Sequence, residues 1–252
     1  MRRLLRLLPA STKLYLRIWQ RRSLDFLSGR HRQMAHSKMT DAEMPVAIQL
    51  QQTIVGGESA ANKLHNLQLA LTHLQGIVLQ PGQLFSFWYW IGHPSNKKGY
   101  QKSRSIVRGQ VIAETGGGLC QLSGLLYLLA LKAGLTIIER HPHSLDIYRE
   151  EERFAPLGSD ATVSFGYKDL RFINNLPHPI GLQFQIGSQT LSGHITSPAL
   201  IAEKDIRFQY HWQTDYVTVT TFLNDVAVNH TTYTRLHPST LQPNGEAGKA
   251  NV

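Results

Sequence analysis

The sequence lacks several features that would place a protein in a class at once. Its 252 residues include one cysteine, which excludes a disulfide framework and any metal site built from several thiolates of one chain. No apolar run reaches the roughly 18 residues of a membrane-spanning helix, and the longest extends from Leu125 to Leu131. The phosphate-binding pattern GxxxxGK[ST] is absent, as are internal repeats. Because 42% of the residues are hydrophobic, we expect a folded protein with a sizeable core.

The first ten residues do not form a typical secretory signal. Such a signal needs an uninterrupted apolar stretch of roughly 7–15 residues after its basic start, and Arg6 and Pro9 interrupt the stretch here. We therefore expect a cytoplasmic protein, which would be peripheral at the inner membrane surface if its N-terminal segment binds lipid.

Positive charge is concentrated at the N-terminus. The chain has 26 Lys and Arg against 17 Asp and Glu, a formal net charge of +9. Residues 1–38 hold ten of the basic residues and only Asp25 as an acidic one, so residues 39–252 have no net charge. We expect a basic amphipathic segment over 1–38, a single α+β domain over 45–237 and a flexible tail over 238–252.

Residues 12–22 have the pattern of a short amphipathic helix. Its apolar and basic residues fall on different faces: Leu14, Tyr15, Ile18 and Trp19 on one, and Lys13, Arg17 and Arg21 on another. Such a helix either docks on the folded body or lies on an anionic membrane surface. We predict no nucleic-acid partner, because the body lacks a basic patch interleaved with aromatic residues.

The rest of the chain has a pattern of helices followed by hairpins. Residues 62–75 and 120–133 are predicted helices, and the second is apolar on nearly every side, which indicates a central buried helix starting at Cys120. Residues 84–90 are predicted to form an aromatic strand and residues 92–118 mostly loop. Two-residue alternation then predicts strands at 135–139, 145–148, 161–165, 170–173, 180–186, 190–195, 216–223 and 226–234. This order predicts an α+β fold whose sheet is mainly antiparallel.

The most informative segment is Gly116-Gly117-Gly118-Leu119-Cys120. Three glycines directly before a buried helix allow a sharp turn and expose backbone N–H groups, and the start of a helix carries partial positive charge. A thiol at this position has its thiolate form stabilised. Cys120 is therefore a candidate nucleophile.

Residues downstream offer the partners that a cysteine nucleophile needs, namely a base and a group that orients the base. His143 is the preferred base and His141 the alternative, because the strand that starts at Ser144 follows His143 directly. Asp160 is the preferred orienting carboxylate and Asp169 the second choice. The chain order Cys, His, Asp matches transglutaminase-like and papain-like sites, which is an analogy of arrangement.

Three other interpretations of these residues are open. The amides of residues 116–118 could hold a carboxylate or phosphate with help from Arg140 or His143. Alternatively, the cysteine is a small hydrophobe and the glycines only permit close packing. A metal site at His141 and His143 would lack a third ligand at a diagnostic spacing, so we predict no metal and no cofactor.

In these segments the chain resembles the VanW family, named for an accessory protein of a vancomycin-resistance gene cluster. The similarity covers roughly residues 50–200. Its motifs are QPGQLFSF at 80–87, GGGLCQLS at 116–123, ERHPHS at 139–144, GSDATV at 158–163 and DLRFINN at 169–175. Candidate ligand-binding residues within these motifs are Gly116, Gly117, Gly118, Gln121, Ser123, Arg140 and Ser144. The resemblance implies a link to the cell envelope and glycopeptide resistance, and it implies no defined reaction.

Two functions are compatible with the sequence. The first is a cysteine-dependent amide or peptide hydrolase, or an acyl-transferase, acting on a cell-wall peptide or its precursor. The second is a non-catalytic module that holds a peptide carboxylate at the helix start formed by residues 116–118.

Overall fold

The computed structural model describes residues 8–39, 44–54, 59–107, 110–146, 155–235 and 249–251. Over these residues the chain is a mixed α+β protein with several antiparallel sheets and few helices. The helices are α1 (Ala10–Leu27), α2 (Ala60–Leu74), α3 (Phe87–Ile91) and α4 (Leu119–Lys132), with 3-10 turns at Arg30–Arg32 and Asn96–Lys98. The strands are β1 (Ser37–Lys38), β2 (Val46–Thr53), β3 (Ile77–Leu79), β4 (Leu84–Ser86), β5 (Lys102–Val107), β6 (Gln110–Thr115), β7 (Thr136–Glu139), β8 (Leu145–Asp146), β9 (Arg171–Ile173), β10 (Ile180–Ile186), β11 (Thr190–Thr196), β12 (Ile206–Trp212), β13 (Tyr216–Leu223), β14 (Val226–Arg235) and β15 (Lys249–Asn251).

The strands form two five-stranded sheets, one three-stranded sheet and a hairpin. The first large sheet has the order β1-β3-β10-β11-β2 and the second the order β15-β12-β13-β14-β8. Strands β4, β9 and β7 form the small sheet, and β5 pairs with β6. Within the described residues the named strands pair antiparallel except β14 with β8, which is parallel.

Helix α4 lies at the centre of the core, as its apolar pattern predicts. Every residue from 119 to 131 is buried except Cys120, which is half-buried. The helix packs on β2 and β11 of the first large sheet and on α2. It begins at Leu119 because Gly118, with φ 96°, takes a left-handed conformation that disfavours other residues.

Two sequence predictions are wrong in the region before α4. The strand predicted over 84–90 ends at Ser86, whose hydroxyl accepts a hydrogen bond from the Tyr89 N–H (3.2 Å) and caps α3. Residues 92–118, predicted as loop, contain the β5–β6 hairpin. Helices and strands are predicted from the periodicity of apolar residues. Neither the Ser86 cap of α3 nor the largely polar β5–β6 hairpin has that periodicity, so the prediction misses both.

Other differences lie after α4. The strand predicted over 161–165 is absent, because its backbone bonds to the segment after β7 instead of to a neighbouring strand: the Thr162 N–H donates to the His141 carbonyl (2.7 Å). Strands β1, β2, β3 and β12 have no counterpart in the prediction. Residues 249–251 of the predicted tail form β15 beside β12, and residues 236–248 lie outside the described part of the chain.

Helix α1 is longer than predicted and one of its faces docks on the body. Arg21 pairs with Glu139 (2.6 Å), and Asp25 pairs with Arg171 (2.9 Å). Leu14 packs directly on Gly166: a Cβ added to Gly166 would lie 2.5 Å from Leu14 Cδ1. No helix in the described residues is both long and apolar enough to cross a membrane.

Candidate active site

Cys120 is the second residue of α4 and lies at the edge of the core. Its sulfur is 3.6 Å from Thr162 Oγ1 and 4.0 Å from the Val163 carbonyl oxygen. The Cys120 N–H is among the first N–H groups of the helix, which have no carbonyl acceptor inside it. The sulfur therefore lies where partial positive charge from the helix stabilises an anion.

The structure brings His143 and Asp160 to this cysteine. His143 Nδ1 lies 2.7 Å from Asp160 Oδ2, and the His143 backbone N–H donates to the same oxygen (2.6 Å). The His143 side chain also interacts electrostatically with the Cys120 thiol. With Nδ1 bonded to the carboxylate, Nε2 is the ring nitrogen left to exchange a proton with the thiol. The residues preferred from the sequence as nucleophile, base and orienting carboxylate are thus in one chain of contacts.

The electrostatics of this chain of contacts favour an ion pair. Burial opposes a thiolate, but the hydrogen bond and positive charge of His143 lower the pKa of the Cys120 thiol below its ordinary value. Burial also opposes an imidazolium, yet the bonds to Asp160 and Cys120 raise the pKa of His143 to about 10. Both shifts favour a thiolate beside an imidazolium over the neutral pair of groups.

Arg140 and Tyr233 hold the Asp160 carboxylate in place. Arg140 Nη2 lies 2.9 Å from Asp160 Oδ1, and its Nε donates to the Asp160 carbonyl (2.7 Å). The Tyr233 hydroxyl donates to Oδ1 as well. Burial raises the pKa of Asp160, but His143 and Arg140 together bring it below its ordinary value. The carboxylate therefore stays ionised, with one oxygen held by the core and the other directed to His143.

His141 and Asp169, the second choices for base and orienting group, belong to a different cluster. His141 Nε2 lies 2.9 Å from Glu139 Oε1, and Glu139 also pairs with Arg21 of α1. Asp169 accepts hydrogen bonds from the Ser86 hydroxyl (2.6 Å) and the Trp88 N–H (3.1 Å). Burial raises the pKa of Asp169 to about 6. Asp169 is therefore not brought to His143, which donates its hydrogen bonds to Asp160.

The glycine segment is tightly packed and its first amides are already used. The Gly116 N–H donates to the Gln101 carbonyl (3.0 Å) and the Gly117 N–H to the Glu114 carbonyl (3.0 Å). A Cβ on Gly117 would lie 2.2 Å from the Ser103 carbonyl oxygen. The expected cradle of three free amides is therefore not formed, because binding a carboxylate at Gly116 and Gly117 would break two backbone hydrogen bonds.

Most of the other candidate ligand-binding residues make contacts inside the protein. Gln121 Nε2 donates to the Thr53 carbonyl (2.8 Å), and the Ser123 hydroxyl donates to the Ala161 carbonyl. Ser144 is exposed, and its carbonyl accepts from Thr234. A ligand-binding role for these residues stays a prediction. In the described part of the chain, no three His, Cys, Asp or Glu side chains are arranged to hold a metal ion.

The supporting residues of the site were not found from the sequence. Tyr233 and Thr231 of β14 both accept hydrogen bonds from Arg140, more than 90 positions away in the chain. Thr162 lies in a recognised motif but carried no signal for contact with the sulfur. A strand with ordinary alternation gives no indication of which inward residue will meet a buried arginine.

Comparison with known proteins places this site within a family. The family model described as VanW like protein matches residues 62–196, which is more than half of the chain. The chain belongs to the VanW family. The matched range contains Cys120, His143 and Asp160 and ends before β12, so Tyr233 lies outside it.

Two relatives show how much of a VanW-family protein this chain represents. It is 37% identical over 114 residues to the vancomycin B-type resistance protein VanW of Enterococcus faecalis, covering 45% of this chain and 42% of the relative. It is 35% identical over 122 residues to the uncharacterized protein YoaR of Bacillus subtilis, covering 48% and 39%. The match thus spans about two fifths of the length of each relative. No solved structure matches the chain.

Proposed function

We propose that the chain is a cysteine-dependent acyl-transfer enzyme, a hydrolase or acyl-transferase that acts on an amide bond. The observation that carries this proposal is that one imidazole, His143, interacts with the Cys120 thiol and hydrogen-bonds the Asp160 carboxylate. A cysteine that served only for packing would not need an ionised carboxylate fixed by Arg140 and Tyr233 on the far side of the histidine.

In the first half of the reaction the Cys120 thiolate attacks the carbonyl carbon of the substrate. A carbon–sulfur bond forms and negative charge moves to the carbonyl oxygen, where the Cys120 N–H at the helix start is placed to stabilise it. When this intermediate collapses, the carbon–nitrogen bond breaks. His143 donates its Nε2 proton to the leaving amine, and a thioester remains on Cys120.

In the second half an acceptor attacks the thioester. His143, now neutral, takes a proton from water or from an amine as that acceptor adds to the carbonyl. The carbon–sulfur bond then breaks and Cys120 returns to its thiolate form. Throughout, Asp160 keeps His143 in the tautomer and orientation that both steps require.

We interpret the arrangement as papain-like and transglutaminase-like in its logic. Support comes from the position of the nucleophile at the start of a buried helix, and from the histidine and carboxylate that follow it in the chain. The resemblance is one of chemistry, and it leaves open whether water or an amine is the acceptor.

The substrate class we propose is a cell-wall peptide or its precursor. The relative from Enterococcus faecalis carries the name of a vancomycin B-type resistance protein, and the resemblance to the VanW family implies a link to the cell envelope. Residues 1–38 carry a net charge of +9, which favours binding to an anionic membrane surface. A position close to the membrane is compatible with a cell-wall precursor as the substrate.

The proposal is tested by searching for the thioester on the full chain. The protein is incubated with a synthetic pentapeptide ending in D-Ala-D-Ala, and both the intact mass and the release of D-alanine are measured. We expect an acyl adduct on Cys120 and release of D-alanine, and neither in Cys120→Ala. If the wild type forms no adduct and releases nothing, this substrate is wrong. If Cys120→Ala releases D-alanine equally fast, the nucleophile is wrong.

A further inference from the structure

The outer face of α1 carries a stripe of large apolar side chains that are exposed to solvent; Phe26 among them stacks on the His31 ring, with 4.8 Å between the ring centroids, and stays 66% exposed. The docked face presents Leu14, Ile18, Arg21 and Asp25 to the body. Tyr15, Trp19 and Phe26 each follow a residue of the docked face directly in the sequence. Because one residue turns an α-helix by about 100°, these three side chains lie about 100° around the helix from the docked face. Tyr15 is 73% exposed and Trp19 is 70% exposed.

The stripe continues around the helix. Leu16 and Leu27 are also exposed, farther around the side turned away from the body. Helices of ordinary soluble domains place their apolar residues against the core and their polar residues outside. In α1 the core side combines Leu14 and Ile18 with two ion pairs, and the outer side still exposes aromatic and aliphatic groups. The apolar surface is thus placed for a contact outside the folded body.

The charge around this stripe indicates what covers it. Arg17 and Arg22 on α1 and Arg30 and Arg32 in the turn that follows are exposed cations. Residues 1–38 carry the whole net charge of the chain, while residues 39–252 carry none. A second copy of this chain would bring the same cations to the same stripe and would be repelled. An anionic surface with an apolar interior would match both the arginines and the exposed apolar side chains of α1.

We propose that α1 lies in the surface of an anionic membrane, with Tyr15, Trp19 and Phe26 inserted among the headgroups and the neighbouring arginines on the lipid phosphates. Aromatic rings with a polar edge favour this depth. Arg21 and Asp25 stay with the body, so the helix is held between the protein and the lipid. This proposal is independent of the chemistry of Cys120.

Vesicle flotation with the full chain tests the proposal. Vesicles of phosphatidylglycerol and phosphatidylcholine are compared with vesicles of phosphatidylcholine alone, at low and high salt. We expect at least roughly tenfold stronger binding to the anionic vesicles, lost as the salt concentration rises. Equal binding to both kinds of vesicle, or no binding to either, would overturn the proposal.

Matched variants locate the contact on the helix. We expect Tyr15→Ser with Trp19→Ser, and separately Arg17→Gln with Arg22→Gln, each to weaken vesicle binding roughly tenfold or more. Leu200→Ser is the control, because Leu200 is 99% exposed and lies outside α1. An equal loss in the control would overturn the assignment to α1. So would a dimer, seen by sedimentation equilibrium without lipid, that Trp19→Ser dissociates.

Discussion

His141 and His143 stand two residues apart, and each bonds a carboxylate, yet they belong to different parts of the molecule. His143 is bonded to Asp160 and interacts with the Cys120 thiol, and its side chain is 16% exposed. His141 is bonded to Glu139, and its side chain is 37% exposed. Pro142 between them has no N–H to donate. The His141 carbonyl accepts a hydrogen bond from the Thr162 N–H, and the His143 N–H donates to Asp160. The loop that contains Asp160 and Thr162 therefore holds the backbone at both histidines.

The difference lies in what stands behind each carboxylate. Asp160 is held by Arg140, whose side chain is 5% exposed. The His143 ring, bonded to Asp160, also interacts with the Cys120 thiol. Glu139 is held by Arg21 from α1, whose side chain is 29% exposed. The first cluster is built into the core beside Cys120. The second fastens the N-terminal helix to the body.

The largest expected effect comes from removing the carboxylate of the first cluster. In Asp160→Asn the buried Arg140 loses its counter-charge, and breaking a buried ion pair in this way costs about 3–5 kcal/mol of unfolding free energy. Urea unfolding followed by circular dichroism measures the loss. Glu139→Gln is the matched change in the second cluster, where the more exposed Arg21 limits the loss to about 1 kcal/mol. Equal losses would remove the distinction between the clusters.

A pH effect distinguishes the second cluster. Because the pKa of Asp169 is about 6 in the folded chain and ordinarily near 3.9, the folded state binds this proton more tightly than the unfolded one. The stabilisation from protonated Asp169 is complete below about pH 4 and is lost as the pH rises through 6. Between pH 4 and 7 we expect wild type to lose on the order of 2–3 kcal/mol relative to Asp169→Asn, which does not titrate. Parallel stability curves for the two proteins would contradict this expectation.

A smaller effect is expected at the α1 contact. Arg21→Gln removes the ion pair to Glu139 and should lower the unfolding free energy by about 1 kcal/mol, because the pair is partly exposed. Arg22→Gln is its neighbour on the exposed side and should change it by less than about 0.5 kcal/mol. Thermal unfolding of both variants checks the difference, and a larger loss in Arg22→Gln would mean that α1 docks by another face.

Much of the candidate site could be predicted from the sequence, but less of the fold around it. Cys120 could be found because glycines before an apolar helix are a local pattern, and the order of His143 and Asp160 after it followed from known chemistry. The roles of Arg21, Tyr233 and Thr231 could not be found, since each depends on contacts across more than 90 positions of the chain. Likewise the β5–β6 hairpin and the Ser86 cap of α3 arise from pairing and a single side-chain bond, which apolar periodicity does not record.

The rate of Cys120 alkylation as a function of pH tests the central claim most directly. Because Cys120 is the chain's one cysteine, every iodoacetamide adduct reports on it. We predict that wild type and His141→Ala react with a thiol pKa below the ordinary value near 8.5. His143→Ala should react roughly tenfold or more slowly at pH 6, with an ordinary pKa. A wild-type profile that rises near pH 8.5 and is unchanged in His143→Ala would contradict the account.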